Sequence, residues 1–526
     1  MSTYAKMRAR RDNWRRKTGV LRTKLSYQLR ENRRVKRERD QYKKNWRATQ
    51  QALNELKQHQ AIQAVRSKSD LVFLALQLFL MARIGFRAVS RVLGVLVPYL
   101  GLKKRPCPQT ISNWVTRLSL VRMSGAAPSE TAGGLFPHGY ILLPDISIGL
   151  GQGKILTILA LDPRHHGVVA GAPLLKHTRC LAVAVADTWN GETISALLRE
   201  VIARFGTPVA YLKDGGTDLA KAVRLLHTPG VTTTSIDDIS HYAANLLKRV
   251  FELDPHYQAF VQACGRVSRR LKQTVLACLA PPKVSTKARF MNLHRLVRWA
   301  DRLLEQSPRG RAATGSLLQK LRDSLDQLPQ GKRFIREFLA NAKPLLECQK
   351  ILKTKGLNQI THEACRSSVA TIPHPFIAVH FRMWLDRHLA AARTLGLQTV
   401  GLPISSDSIE SLFGVAKHLG TGEIKDANRI ALRIPALCQE LTRADAEQVL
   451  QITVNEQSET VGSLPSLIKQ RRDVFNTDGG LDTINDNVAR SNIRLIRSSK
   501  SPQKTAHPID NREISVHSGN LCPSPG

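Results

Sequence analysis

The spacing of apolar residues changes repeatedly along this chain, and each change marks a different kind of segment. From residue 1 to about 65 there is no Pro and little Gly. A three- and four-residue step there runs through Leu21, Leu25, Gln28, Asn32, Val35, Arg39, Tyr42, Trp46, Thr49, Leu53 and Leu56. Most of these are apolar, which predicts one long helix with a coiled-coil seam broken by polar residues near its middle. Over 66–123 the pattern is compact and helical, with stretches at 71–82, 86–99 and 109–120, the last entered through Pro108 at a first-turn position. In that last stretch Ile111, Trp114, Val115 and Leu118 share a face, leaving Thr110, Asn113 and Arg117 to reach base edges or phosphate. This is a helix-turn-helix pattern with 109–117 as recognition helix, although other three-helix packings share it.

Residues 124–138 hold Gly, Ala, Pro and Ser and read as a linker. Strand-like runs follow at 140–148, 155–161 and 180–186, then a helix at 193–205, a short strand at 209–212, a helix at 218–226 and a strand at 231–236. Three strands with hairpin-like connections, then alternating helix and strand, predict a mixed α/β sheet over 139–241. From 242 to 400 the spacing is helical throughout, and a helix at 407–419 opens a final segment, 401–460. After 461 the periodicity fades into Ser, Asn, Asp, Arg and Pro, predicting a disordered tail over 461–526. The predicted fold class is α/β: a mixed sheet with a large all-α insertion, preceded by a basic coiled-coil helix and a helix-turn-helix domain.

Charge narrows the partner. The chain carries 79 Lys+Arg against 41 Asp+Glu, a net charge of +38 over 526 residues. Such an excess suits a polyanion, and double-stranded DNA is the expected partner. The cluster Arg33, Arg34, Lys36 and Arg37 on the first helix could lie along its backbone, while the seam implies a homo-oligomer, a dimer or more. The longest apolar run, 71–82, is too short to cross a bilayer, so no membrane partner is expected. The eight cysteines are scattered without a CxxC pair, as in reduced intracellular thiols, and the charged N-terminus is unlike a secretory signal. If the source is bacterial, these features imply a cytoplasmic, nucleoid-associated protein.

Candidate chemistry resides in carboxylates. Asp145 interrupts the first strand, in Ile-Leu-Leu-Pro-Asp-Ile-Ser-Ile, and Asp214 stands at the carboxyl end of Pro-Val-Ala-Tyr-Leu, followed by Gly215 and Gly216. Burying a lone carboxylate is costly unless it is paired or metal-bound, and ligand sites of open α/β sheets collect at strand carboxyl ends. Glu410 lies on the 407–419 helix, with Lys417 two turns on and on nearly the same face, able to contact DNA phosphate. Singly, Asp145 or Asp214 could serve a turn, and Glu410 could be a surface residue. Asp162, Asp187 and Asp218 also end strands or start helices, with Asp187 the strongest rival, and Asp407 is expected to cap its helix. Together, Asp145, Asp214 and Glu410 would suit two Mg²⁺ ions, with Mn²⁺ as a substitute, since such cations take hard oxygen ligands.

Over roughly 140–419 the chain resembles the DDE transposases. Asp145 matches the first-strand aspartate, Asp214 the aspartate after the fourth strand, and Glu410, in Ser-Asp-Ser-Ile-Glu-Ser-Leu-Phe-Gly-Val-Ala-Lys, the helix glutamate with its downstream lysine. Asp238-Ile-Ser-His241 is similar to the Cys/Asp-x-x-His element at the entrance to the helical insertions of such enzymes, and could equally be a helix cap with a core histidine. The Tyr-Arg companions of some families are replaced by Ser406 and Asp407, so no subfamily is assigned. The resemblance implies a ribonuclease H-like core, with Asp145, Asp214 and Glu410 as catalytic residues and metal ligands. It also implies metal-dependent strand cleavage and transfer at the ends of a mobile element. The basic residues Arg266, Arg269, Arg270 and Lys272 of the insertion would then hold flanking DNA. A catalytically retired DNA-binding descendant and a ribonuclease H-like nuclease are the alternatives.

Overall fold

Strands that are apolar on both faces need a cover on each side, and the central sheet has one. The computed structural model describes residues 3–59, 67–102, 104–123, 136, 139–148, 153–163, 172–226, 233–284, 289–306, 310–419, 426–463, 469, 472 and 493–495. Nearly all of the expected linker and most of the expected tail lie outside them.

Five strands form the body of the sheet: β1 (Ile141–Ile148), β2 (Lys154–Leu161), β3 (Thr178–Ala186), β4 (Ala210–Lys213) and β5 (Thr234–Asp237). β1, β2 and β3 are antiparallel neighbours, and β4 and β5 extend the β1 side in parallel. The parallel pairings require helical crossovers, supplied by α5 (Gly191–Phe205) and α6 (Thr217–Leu226). Asn190 caps α5 in a reciprocal box with Thr193. A sixth strand, β6 (Ile493–Leu495), pairs antiparallel with β3, giving the order β5-β4-β1-β2-β3-β6. These three residues fall within the segment expected to be a disordered tail. That expectation fails here because β3 would otherwise leave its backbone groups unpaired along an edge.

Side chains divide between the two sheet faces. Leu142, Leu156, Ile158, Leu181 and Tyr211 pack beneath α5 and α6. Ile141, Leu143, Ile155 and Leu159 join the larger core on the other face. Since successive residues of a strand alternate, Asp145 and Ser147 continue the Ile141 and Leu143 row toward that larger core.

That core is built mostly of helices: α7 (Ile239–Phe251), α8 (Pro255–Leu271), α9 (Arg289–Glu305), α10 (Leu317–Leu325), α11 (Lys332–Lys355), α12 (Gln359–Val369) and α13 (Pro375–Thr394). Phe251, Tyr257, Phe260, Phe334 and Phe338 meet there with ring centroids 5.1–5.8 Å apart. The chain returns to the sheet through a reciprocal bridge between Leu357 and Leu402, with N–H to O distances of 2.9 and 2.8 Å. The bridge needs Gly401, whose φ of +118° and 2.6 Å clearance from the Lys355 carbonyl to an added Cβ exclude a side chain. The chain then enters α14 (Asp407–His418), α15 (Ala427–Ala431), α16 (Arg443–Gln451) and α17 (Val454–Ser463).

Ahead of the sheet are α1 (Thr3–His59), α2 (Lys68–Leu80), α3 (Phe86–Leu100) and α4 (Pro108–Met123). The chain divides into two compact units, one of residues 1–71 with 93–105, the other of residues 72–92 with 106–526. The segment 66–123, expected to form one DNA-binding domain, is therefore shared between them. In the first unit α1 is a 57-residue helix, about 85 Å long at the usual rise. Of its expected seam Leu25, Val35, Tyr42 and Trp46 are exposed. In the second unit α4 is built into the body. Arg122, 3% exposed, donates to the carbonyls of Ala436 and Cys438 and to Asp445. A guanidinium so enclosed stays compatible with burial because carbonyls and a carboxylate receive its protons.

Candidate active site

Strand register brings the first two acids level. β1 and β4 pair at Ile141↔Ala210 and Leu142↔Tyr211, and carrying that register onward sets Asp145 beside Asp214. β4 and β5 pair at Lys213↔Asp237, which sets Asp214 beside Asp238. Neighbouring strands lie about 4.8 Å apart, so Asp145 within β1 and the residues just past β4 and β5 form an acidic row.

Hydrogen bonds then stitch the remaining pieces to that row. Asp238 N–H donates to the Lys213 carbonyl at 2.9 Å, tying the start of α7 to the end of β4. The Asp238 carboxylate, 1% exposed, accepts from His241 N–H at 2.9 Å, Ser406 N–H at 2.7 Å and Ser406 Oγ at 3.1 Å. One side chain thus caps α7 and fixes the approach to α14, although 168 residues separate Asp238 from Ser406. Ile239 N–H adds a bond to the Ile404 carbonyl at 3.0 Å. With α7 and α14 starting together, His241 Nε2 lies 3.0 Å from Glu410 Oε1. The two interpretations of Asp238 and His241 therefore merge: the aspartate is a cap, and the histidine reaches Glu410 rather than the core.

The site's electrostatics reflect crowding. Burial raises the Asp145 carboxyl to about 7, the charge of Asp214 and then that of Glu410 push the same way, and the Ile146 amide and His241 oppose them. Burial disfavours the charged His241 ring, yet its bond to Glu410 and the charges of Asp238, Asp214 and Glu410 outweigh this and raise it to about 9. His241 is therefore a cation at neutral pH and donates to Glu410. Asp238 is raised by burial, an effect that His241, the two amide bonds and Lys353 partly offset.

Each acid also has local partners. Asp145 Oδ1 accepts from Ile146 N–H at 2.7 Å, and Asp214 Oδ1 accepts from Gly216 N–H at 2.9 Å in an Asx turn. The glycines after Asp214 give close approach: an added Cβ would come within 2.7 Å of Asn245 Nδ2 at Gly215 and 2.8 Å of Asp214 Oδ1 at Gly216, so those side chains would have to shift. Opposite Asp145 in the β1–β2 pair is Thr157, fully buried, with no hydrogen-bond partner for its hydroxyl. Among the described residues no three His, Cys, Asp or Glu side chains are gathered as a metal-holding cluster. Glu410 is turned to His241, and Asp214 to its own turn.

Other predicted residues occupy less expected surroundings. Lys417 Nζ donates to Ser147 Oγ at 2.6 Å, on the strand that carries Asp145. Asp407 does not cap α14: Ser406 holds the cap position, and Asp407 pairs with Lys353 at 2.6 Å. Asp187 is exposed. Thr110, Asn113 and Arg117 on α4 are half-buried, and Arg117 Nε donates to Gln457 Oε1 of α17 at 2.6 Å. Asn113, Thr116, Arg429 and Gln457 line a hollow of about 330 Å³, so α17 stands over part of the expected DNA-reading face. Arg33, Lys36 and Arg37 are exposed on α1, and Arg34 pairs with Glu31 and Glu38. In the insertion, Arg266 bonds Gln327 and Arg270 pairs with Asp326, whereas Arg269 and Lys272 are exposed.

No protein-family model matches the chain, and no curated protein matches it. Among solved structures, the chain is similar to a chain of the Drosophila P element transposase strand transfer complex, at 11% identity and a TM-score of 0.38, covering 74% of this chain and 97% of that one.

Beside the acidic row stands a group that sequence patterns did not single out. Asp237 receives Lys213 Nζ at 2.5 Å and the Arg387 guanidinium, while its N–H donates to His388 Nε2 at 3.0 Å. His388 Nδ1 is 2.7 Å from the Trp384 carbonyl, so the ring is neutral with its proton on Nδ1. Burial lowers it to about 4. Burial opposes ionisation of Asp237, but Lys213 and Arg387 hold it below the usual carboxylate range. A Lys in a buried strand, directly before Asp214, was the available signal.

Proposed function

We propose that the chain is a transposase of the DDE type, with a ribonuclease H-like core that cleaves DNA and transfers strands at the ends of a mobile element. One observation carries this reading: the charges of Asp214 and Glu410 both act on buried Asp145, and His241 bonds to Glu410 beside them. The sheet order, with three antiparallel strands followed by two parallel ones, supports the same reading.

The donor types suit hard divalent cations, although among the described residues the three carboxylates are not gathered into one cluster. Three carboxylates supply oxygen ligands, and the upward shift of Asp145 expresses a demand for positive charge that one histidinium meets in part. Asp145, Asp214 and Glu410 would hold two Mg²⁺ ions, which supply activation of a water or 3′-hydroxyl and stabilisation of the leaving oxygen in an in-line displacement. Asp238 positions the starts of α7 and α14, and His241 holds Glu410 through its Nε2–H. Lys417 holds α14 against β1 through Ser147. The basic α1, with its exposed apolar seam, would pair protomers and lie along double-stranded DNA.

The test is cleavage of element-end DNA in Mg²⁺ by the wild type and by Asp214→Asn. Near-normal cleavage by the variant removes the mechanism. A second reading, a DNA-binding descendant without activity, is favoured by the absence of a gathered metal cluster among the described residues. DNA binding that is intact and indifferent to Mg²⁺ and Mn²⁺, without cleavage, would select it.

A further inference from the structure

Along α9, Arg295, Arg298 and Arg302 make no ion pair among the described residues, although Glu305, three residues from Arg302 and seven from Arg298, shares their face. Positions three and seven residues apart on a helix share one face, so these guanidiniums form a row about 10 Å long. They line a hollow of about 610 Å³ together with Trp299, Leu279 and Leu321. All three arginines are exposed, and none has an ion pair or hydrogen bond among the described residues. Asp301 and Glu305 lie on the same helix and do not pair with them. The indole of Trp299 is fixed by its Nε1–H bond to the Leu279 carbonyl at 3.1 Å, so its ring is held in the lining.

This differs from the arginines of α8. Arg266 and Arg270 are bound to Gln327 and Asp326, so each already has a partner. Among the described residues, those of α9 have no such partner. Neighbouring His294 registers their field: burial lowers its pKa first, and the charges of Arg298 and Arg295 lower it further.

We propose that the α9 row binds the phosphate backbone of a DNA strand, with the apolar lining beside it receiving the sugar and base side. This rests on the reading that the chain acts on DNA. A row of about 10 Å is longer than a single phosphate group and runs past at least two consecutive phosphates of one strand. An aromatic ring next to arginines is the arrangement that holds unstacked nucleotides without sequence preference.

The experiment compares full-length wild type with Arg295→Ala/Arg298→Ala/Arg302→Ala by fluorescence polarisation, using labelled single-stranded and duplex oligonucleotides in EDTA across a salt series. The triple variant is expected to bind roughly 10- to 100-fold more weakly at 0.1 M salt, and its log–log salt slope is expected to fall by roughly 2–3. The corresponding triple Lys variant should recover most of the slope, because charge is retained. Unchanged melting by circular dichroism assigns the loss to the surface. Wild-type binding with an unaltered Ala variant overturns the α9 assignment and leaves the function proposed above standing. No wild-type binding to either oligonucleotide overturns both. Displacement of DNA by micromolar tripolyphosphate from the wild type alone would assign the hollow to a small phosphate compound and overturn the strand assignment.

Discussion

The carboxylates within β1 and at the ends of β4 and β5 divide into two groups with opposite treatment. Asp237 and Asp238 are saturated: a lysine, an arginine and three hydrogen bonds from α7 and the approach to α14 receive their oxygens. Asp145 and Asp214 occupy the neighbouring positions of the same row with one backbone amide bond each, and Asp145 is held near 7 by burial and by other acids. Equal residue type and near-equal place thus give one pair that joins the fold and one left short of positive charge. A buried acid whose oxygens are bonded is costly to separate from its partners, whereas one crowded by like charges marks a place where the fold bears a cost.

Substitutions should separate the groups, beginning with the largest effect. Asp214→Asn is expected to lower Mg²⁺-dependent strand cleavage on the order of 10³-fold or more while the fold persists, measured on labelled element-end duplex. Asp238→Ala should cost about 3–4 kcal/mol in urea denaturation, because it leaves two amides and a hydroxyl unsatisfied between α7 and α14. If Asp238→Ala melts like the wild type, the division into structural and uncompensated acids is wrong.

The pH dependence sharpens the same contrast. The folded pKa of His388, about 4, is below its unfolded value, so its stabilising effect is complete above about 6.5 and is lost as pH falls toward 4. Denaturation midpoints should record a loss of about 3 kcal/mol over that window, reduced in His388→Gln. Asp145 behaves oppositely: its folded pKa is above the unfolded value, so without metal its contribution is greatest below about 4 and declines as pH rises through 7. Asp145→Asn should accordingly gain about 1–2 kcal/mol at pH 8 in EDTA. A loss at that pH would place Asp145 with the bonded acids.

Much of the architecture was legible because it follows from period. The strands at 141–148 and 154–161 and the helices α5 and α14 lie within a few residues of where their apolar spacing put them. Asp145 and Asp214 could be noticed because each breaks an apolar run, which is a local signal. The pairing of β6 with β3 was illegible, since three residues in a polar segment carry no period that distinguishes strand from coil. Nor could sequence show that Asn113 and Arg117 of α4 would meet α17, for the partner helix lies about 340 residues away. The expected Asp407 cap differs by one position, because Ser406 occupies the cap position before α14 and Asp407 pairs with Lys353.

From the sequence alone came the order of strands and helices, the basic character of the chain and the acids that interrupt its apolar runs. These are determined by side-chain polarity and by neighbours a few residues apart. Only the tertiary structure decided that the Asp238 carboxylate bonds to both α7 and the approach to α14, that His241 meets Glu410, and that the arginine row of α9 has no ion-pair partner among the described residues. Those outcomes depend on which groups distant segments bring within about 3 Å, a distance at which hydrogen bonds form and charges act most strongly.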